Sequence, residues 1–272
     1  MSQLALYGGE KAKKTPFGKG KRFGAEELQQ LKEALEQNTL FYWSGNKVKE
    51  FTSKFAGKYG VPYCVAASSG TAALHVALGA VGVTTGDEVI TAPVTDMGSI
   101  IGILYQNAIP VFADIDPHTY NMDPKSIEKN ITEKTKAIMV IHLAGNPADM
   151  DAIMAIAKKH DIKVIEDCAQ SYLSYYKGRL AGTIGDIGCF SLNDFKHISA
   201  GDGGMLIMKD EETYKKAFRF ADKNYDRFSN DPLAMRKIEF LAPNYRMNEL
   251  TGAVGLAQLD RLDEICRKRN IY

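Results

Sequence analysis

The sequence predicts an α/β fold with a mainly parallel central sheet and flanking helices, and two observations carry that prediction. Short apolar runs rich in β-branched residues recur along the chain, and segments of helical periodicity separate several of them. Such alternation favours parallel strands joined by right-handed crossovers, because a parallel pair needs a connection long enough to hold a helix. At 272 residues the chain can bury a large core, and its length suits one principal domain.

The elements follow in order. Residues 1–24 read as an N-terminal arm, rich in Gly and Lys over 1–22, with Lys11, Lys13, Lys14, Lys19, Lys21 and Arg22 giving it a basic, solvated character. Leu28, Leu31 and Leu35 are spaced for a first helix over 25–37. Buried strands are expected over 88–94, 109–115, 136–143, 163–166, 187–192 and 205–208, after an earlier apolar run at 63–67. Helical patterns fill 69–81 and 149–160. A last one, over 248–269, places Leu250, Val254, Leu259 and Leu262 on an inward face.

Composition narrows the class. Hydrophobic residues make up 45% and charged residues 25%, the usage of an ordinary globular protein rather than a disordered or fibrous one. A net charge of +1 gives no field for nucleic acid or an anionic membrane. No apolar run reaches the roughly 18 residues that a span needs, and no signal-peptide pattern opens the chain, so the expected location is cytoplasmic. Cys64, Cys168, Cys189 and Cys266 lie far apart without metal-type spacing, which favours reduced, buried thiols over a zinc site or a disulfide framework.

Four segments could carry chemistry. Ser69, Gly70 and Thr71 follow a strand and open a helix, where free amides and the helix dipole favour a phosphate; taken alone, a plain N-cap is the simpler explanation. Glu166 and Asp167 end an apolar strand at the carboxyl edge of the sheet, where ligands of open α/β sheets gather. A buried carboxylate there needs a positive partner, and capping of the next segment accounts for the Asp equally well. Ser191 and Lys196 lie five residues apart beyond another strand end, followed by Gly201, Gly203 and Gly204. A lysine amine becomes a nucleophile when desolvation or a neighbouring cation lowers its proton affinity, whereas a lone lysine is usually a surface charge. Finally, Asn244, Arg246 and Asn248 lie in a polar loop before the last helix, where capping accounts for Asn248 only.

Taken together, Ser-Gly-Thr, Glu-Asp-x-Ala-Gln, Ser-x4-Lys with Gly-x-Gly-Gly, and Asn-Tyr-Arg-Met resemble the DegT/DnrJ/EryC1/StrS family of sugar aminotransferases, from about residue 25 onward. The resemblance implies an aspartate-aminotransferase-like large domain (PLP fold type I), the cofactor pyridoxal 5'-phosphate (PLP), and a homodimer with shared active sites. It further implies that Lys196 is the Schiff-base lysine and proton shuttle, and that Asp167 pairs with the pyridinium nitrogen. Gly70, Thr71 and Ser191 would hold the phosphate, Gln170 would pack near the ring and its phenolic oxygen, and Asn244 would reach the phosphate of the other subunit. The implied reaction moves an amino group from glutamate or glutamine to a keto sugar.

Two departures stand out. Many relatives stack an aromatic side chain on the pyridine ring just after a proline, where this chain has Asp96 and Met97 after Pro93. Relatives also continue into a smaller C-terminal domain, so 25–247 is read as the large domain and 248–272 as a helix leading toward a domain absent from this chain. Rival readings are a sugar dehydratase of the same family, with histidine in place of the lysine and His197 adjoining Lys196, and a cofactor-binding or regulatory protein without turnover. Counting from Ser191 and from Gly203 favours Lys196 as the family lysine.

Overall fold

A computed structural model describes residues 3–14 and 21–271. Lys19, counted above in the basic arm, lies outside the described residues. The elements are α1 (Ala25–Glu36), α2 (Lys47–Tyr59), β1 (Tyr63–Ala67), α3 (Gly70–Ala80), β2 (Glu88–Thr91), α4 (Gly98–Tyr105), β3 (Ile109–Phe112) and α5 (Pro124–Lys129). They continue with β4 (Thr135–Ile141), α6 (Met150–His160), β5 (Lys163–Asp167), the small hairpin of β6 (Tyr175–Tyr176) and β7 (Arg179–Leu180), β8 (Ile187–Ser191) and β9 (Gly204–Met208). The chain closes with α7 (Glu211–Ala221), the single turn α8 (Pro232–Met235), α9 (Glu249–Leu259) and α10 (Leu262–Arg269).

Seven strands form one sheet in the order β1-β9-β8-β5-β4-β2-β3. Strands β8, β5, β4, β2 and β3 pair in parallel, whereas β9 runs antiparallel to both β1 and β8. The alternation of strand and helix therefore produced the expected sheet. The exception has a simple cause, because β8 reaches β9 through the turn-rich segment 192–203 rather than through a helix. Neighbouring residues on the strands feed two cores. Cys64, Phe190, Met205 and Ile207 face Phe51 and Phe55 of α2 and Leu256 and Leu259 of α9, while Val65, Cys189, Leu206 and Met208 join Ala73, Val76 and Ala77 of α3. All four cysteines are buried and free.

Local rules set several helix starts. Asp149, Asp210 and Asn248 cap α6, α7 and α9 by accepting from the amides of Ala152, Thr213 and Thr251 at 3.3, 2.8 and 3.0 Å. Helix α2 lacks a cap of its own. Glu249 at the start of α9, fully buried, instead accepts from the amides of Lys47 and Val48 at 2.7 and 3.1 Å.

The first helix forms as expected, and the last helical pattern departs from its expected inward face. Leu28 and Leu35 of α1 are 69% and 62% exposed, and the buried residues of α1 are Glu27 and Ala34. Polar contacts seat this end of α1, since Glu27 accepts from Gln258 and Arg261. The pattern over 248–269 divides into α9 and α10 at Asp260–Arg261, with Leu259 and Leu262 buried as expected. Leu250 and Val254 are only partly buried, because Ala253, Leu256 and Ala257 face the core instead. Among the described residues no helix is long and apolar enough to cross a membrane.

Candidate functional site

Strands β1, β2, β5 and β8 all end at the same edge of the sheet, and β9 begins there. The segments that leave this edge line one cleft. Gly70, Thr71, Asp167, Gln170, Ser191 and Lys196, all singled out from sequence, meet in it.

Its floor is the approach of α3 to β8. A Cβ on Gly70 would stand 2.6 Å from Ser191 Cβ and 2.9 Å from its Oγ, so only glycine lets the helix N-terminus come this close. Ser69 caps α3, its Oγ accepting from the Ala72 amide at 3.0 Å. The amides of Gly70 and Thr71, first in the helix, have no acceptor among the described residues. With the hydroxyls of Thr71 and Ser191 they form a small cradle of donors at the positive end of a helix dipole.

Glu166 and Asp167 point to opposite sides of β5 and have separate roles. Glu166 is fully buried and accepts four hydrogen bonds, from His142 Nε2 at 2.9 Å and from the amides of Gly182, Ile184 and Gly185 at 2.7, 2.7 and 2.6 Å. Burial pushes its carboxyl up, but His142 and the amides outweigh burial and hold it below the usual carboxylate range. His142 Nδ1 accepts from the Ala148 amide at 3.1 Å, which places the ring proton on Nε2, facing Glu166. Glu166 thus pins the loop 182–185 and stays out of the cleft. Cys168 approaches this pair, but the ring nitrogens and carboxylate oxygens of His142 and Glu166 are already engaged by protein donors and acceptors.

Asp167 does face the cleft. Its Oδ2 accepts from Ser99 Oγ at 2.7 Å and its Oδ1 from the Ala169 amide at 3.0 Å. Ser99 is itself bonded to Thr95 Oγ1 at 2.7 Å. Burial pushes the Asp167 carboxyl above the usual carboxylate range, against the opposing pull of the Ala169 amide, the Ser99 hydroxyl and the Lys196 charge. A group in that state favours a further cationic partner. Gln170 is oriented from the side, its Oε1 accepting from the Ala144 amide at 2.9 Å.

Lys196 lines the cleft together with Asp167, and no hydrogen-bond or ion-pair partner of its amine is found among the described residues. Its neighbour His197 turns away from this cleft and packs against Tyr172, with ring centroids 5.3 Å apart. The lysine and not the histidine lines this cleft with Asp167. Next to the cleft opens a wider cavity of ≈ 690 Å³ that shares Ala169, Gln170 and Lys196 with it. Arg269 lines this cavity and no carboxylate does, so it favours anions.

Asn244 is not brought into the cleft. It is exposed on the loop before α9, bridged through its backbone to Asp222. Arg246 is explained by structure, since its guanidinium donates to buried Asp222 at 2.8 Å, alongside Arg227 at 2.8 Å and Tyr42 Oη at 2.7 Å. At the position where an aromatic residue was missed, Asp96 lines the cleft and Met97 does not. Ser99 and Thr95 were not found from sequence. Ser99 lies inside an apolar helix, and only its position against β5 gives the hydroxyl a purpose.

Residues 21–272 match the DegT/DnrJ/EryC1/StrS aminotransferase family. A putative L-glutamine:3-amino-2,3-dideoxy-scyllo-inosose aminotransferase of Streptoalloteichus tenebrarius is 38% identical over 275 residues, covering 98% of this chain and 64% of that protein. The solved aminotransferase of Psychrobacter cryohalolentis is 38% identical with a TM-score of 0.85, over 92% of this chain and 65% of the other. NtdA of Bacillus subtilis, solved with its cofactor PMP bound, is 28% identical with a TM-score of 0.79, over 89% of this chain and 55% of the other. The chain thus spans about two thirds or less of each of these proteins.

Proposed function

We propose, from the premise that this chain belongs to the DegT/DnrJ/EryC1/StrS aminotransferase family, that it holds PLP and transfers an amino group from glutamate or glutamine to a keto sugar or related cyclic ketone. The observation that carries this reading is the placement in one cleft of Asp167, a buried carboxyl held above its usual range, and of the Lys196 amine, which has no hydrogen-bond or ion-pair partner among the described residues. The residues fit the cofactor. The donor cradle of Gly70, Thr71 and Ser191 suits a phosphate, which an added Cβ at Gly70 would crowd, and Asp167 suits a protonated ring nitrogen.

When bound, PLP supplies an aldehyde that an amine can join and a ring that withdraws electrons from the reacting carbon. The protein supplies the rest. Asp167, whose carboxylate oxygens are fixed by Ser99 and the Ala169 amide, would pair with a protonated ring nitrogen. Lys196 would hold the cofactor aldehyde through Nζ, and the same amine, when free, would hold and move the proton that amino transfer requires. Gln170 would pack beside the ring, and the anion-favouring cavity shared through Lys196 would admit the carboxylate of the amino donor. Asn244, exposed on its loop, would reach the phosphate bound by a second copy in a homodimer. The enzyme acts in amino-sugar, cell-surface polysaccharide or antibiotic biosynthesis, in the cytoplasm.

Borohydride reduction of the PLP-loaded protein should fix the cofactor on the peptide containing Lys196, as read by mass spectrometry. Separate incubation with glutamate, glutamine and alanine should convert the cofactor to its amino form with the true donor only. Normal transamination by Lys196→Ala would overturn the assignment.

A further inference from the structure

The loop that carries Lys196 is held from behind by groups that the proposed chemistry does not use. Its own turn is local. The Lys196 amide donates to the Asn193 carbonyl at 2.9 Å, and Ala200 closes back on the Leu192 carbonyl at 3.0 Å. The remaining restraint comes from the two ends of the chain. Arg22, ahead of α1, directs its guanidinium at the Asp194 carbonyl, at Asp194 Oδ1 (3.2 Å) and at the carbonyl of Lys196 itself (3.4 Å). The Arg22 carbonyl is fixed in turn by Gln258 Nε2 at 3.0 Å and by Arg261 at 3.2 Å.

Gln258 is the centre of this strap. It is 1% exposed, at the C-terminal end of the apolar stretch of α9 that begins at Ala253. Its Nε2 also donates to Glu27 Oε1 at 2.8 Å, and its Oε1 accepts from the Ser199 amide at 3.4 Å, on the far side of the Lys196 loop. Ser199, fully buried, donates to Asp194 Oδ1 at 3.3 Å and accepts from the Gly201 amide at 3.0 Å. A buried amide costs stability unless its hydrogen bonds are made, and here they join α1, α9 and both sides of one loop. A scaffold that needed only packing would place an apolar residue at this position.

We propose that Arg22 and Gln258 are positioning residues for Lys196. They hold its backbone so that the amine stays aimed into the cleft, making the segment just before α1 part of the active-site support rather than a detached arm. This rests on the cofactor reading above. Small displacements of a reacting group are expensive in rate, whereas binding of a donor elsewhere in the site is unaffected.

The test uses the full chain loaded with PLP, with Arg22→Gln, Arg22→Lys and Gln258→Leu compared with wild type. Borohydride trapping on wild-type Lys196 comes first, and its failure would refute the cofactor reading rather than the strap. With trapping secured, Arg22→Gln and Gln258→Leu should weaken the circular dichroism induced in the visible cofactor band, which reports how rigidly the cofactor is held. They should also lower kcat about tenfold with the donor KM unchanged, the scale of losing one charge-assisted hydrogen bond. Arg22→Lys should restore part of both. Wild-type dichroism and kcat in Arg22→Gln, with only Tm lowered, would overturn the proposal, as would a loss confined to KM. Should Gln258→Leu fail to fold, the two Arg22 variants decide the matter alone.

Discussion

Replacing His197 by glutamine should remove a specific acid sensitivity from the fold. Burial against Tyr172, reinforced by the nearby charges of Arg269 and Lys196, holds the His197 ring at about 4, down from an ordinary 6.5. Its Nδ1 is buried and finds no partner among the described residues, so no hydrogen bond compensates the cost of charging it. The sign follows from proton counts. Between pH 6.5 and 4 the unfolded chain binds a proton at this ring and the folded chain does not, so stability is whole above 6.5 and falls as the pH drops through that window. A fall of about 2.5 pKa units corresponds to roughly 3.4 kcal/mol at about 1.4 per unit. The ring is only partly buried, and solvent screening reduces the expected effect to about 1–2 kcal/mol. Urea unfolding of cofactor-free wild type and His197→Gln at pH 7.5 and 4.5 measures it, because the carboxylates titrate alike in both proteins and cancel in the difference. Wild type should lose about 1–2 kcal/mol more than the variant. Equal losses in the two proteins would refute the reasoning.

Two further substitutions test the walls of the site. Gly70→Ala drives a methyl group into Ser191 between two rigid elements, which should cost about 1–3 kcal/mol and lower Tm by roughly 5 °C. It should also weaken PLP retention in equilibrium dialysis, and unchanged retention would count against the phosphate cradle. Glu166→Gln sets an NH2 group against protein donors where a carboxylate accepts four bonds, and should lower stability by about 3–5 kcal/mol in denaturant unfolding. A loss below about 1 kcal/mol would show that the buried carboxylate is not the anchor of loop 182–185.

The contrast between adjacent residues shows where sequence reading stops. Glu166 and Asp167 are both acidic, both end the same strand and both are buried, so spacing alone could not separate them. Pleating sends one toward His142 and the other into the cleft; the partners of Glu166 outweigh burial and lower its carboxyl, whereas burial outweighs the partners of Asp167 and raises it. The stripe of Leu28, Leu31 and Leu35 announced a helix correctly but not its inner face, because Glu27 found Gln258 and Arg261 only once α9 was in place. Ser99 and Gln258 gave no signal at all. A hydroxyl or an amide within an apolar helix has no visible partner until distant chain arrives beside it.

The sequence by itself determined the order of strands and helices, the glycine at the start of α3, and the lysine that follows Ser191. Those features depend on periodicity, on backbone space and on short spacings, which are local. The tertiary structure decided which acid faces the cleft, that Lys196 and not His197 stands beside Asp167, and that Arg22 and Gln258 reach the Lys196 loop across 174 and 59 residues of chain, from either side. Those choices depend on burial and on hydrogen-bond partners far apart in the chain, and the folded sheet edge is what brings them together.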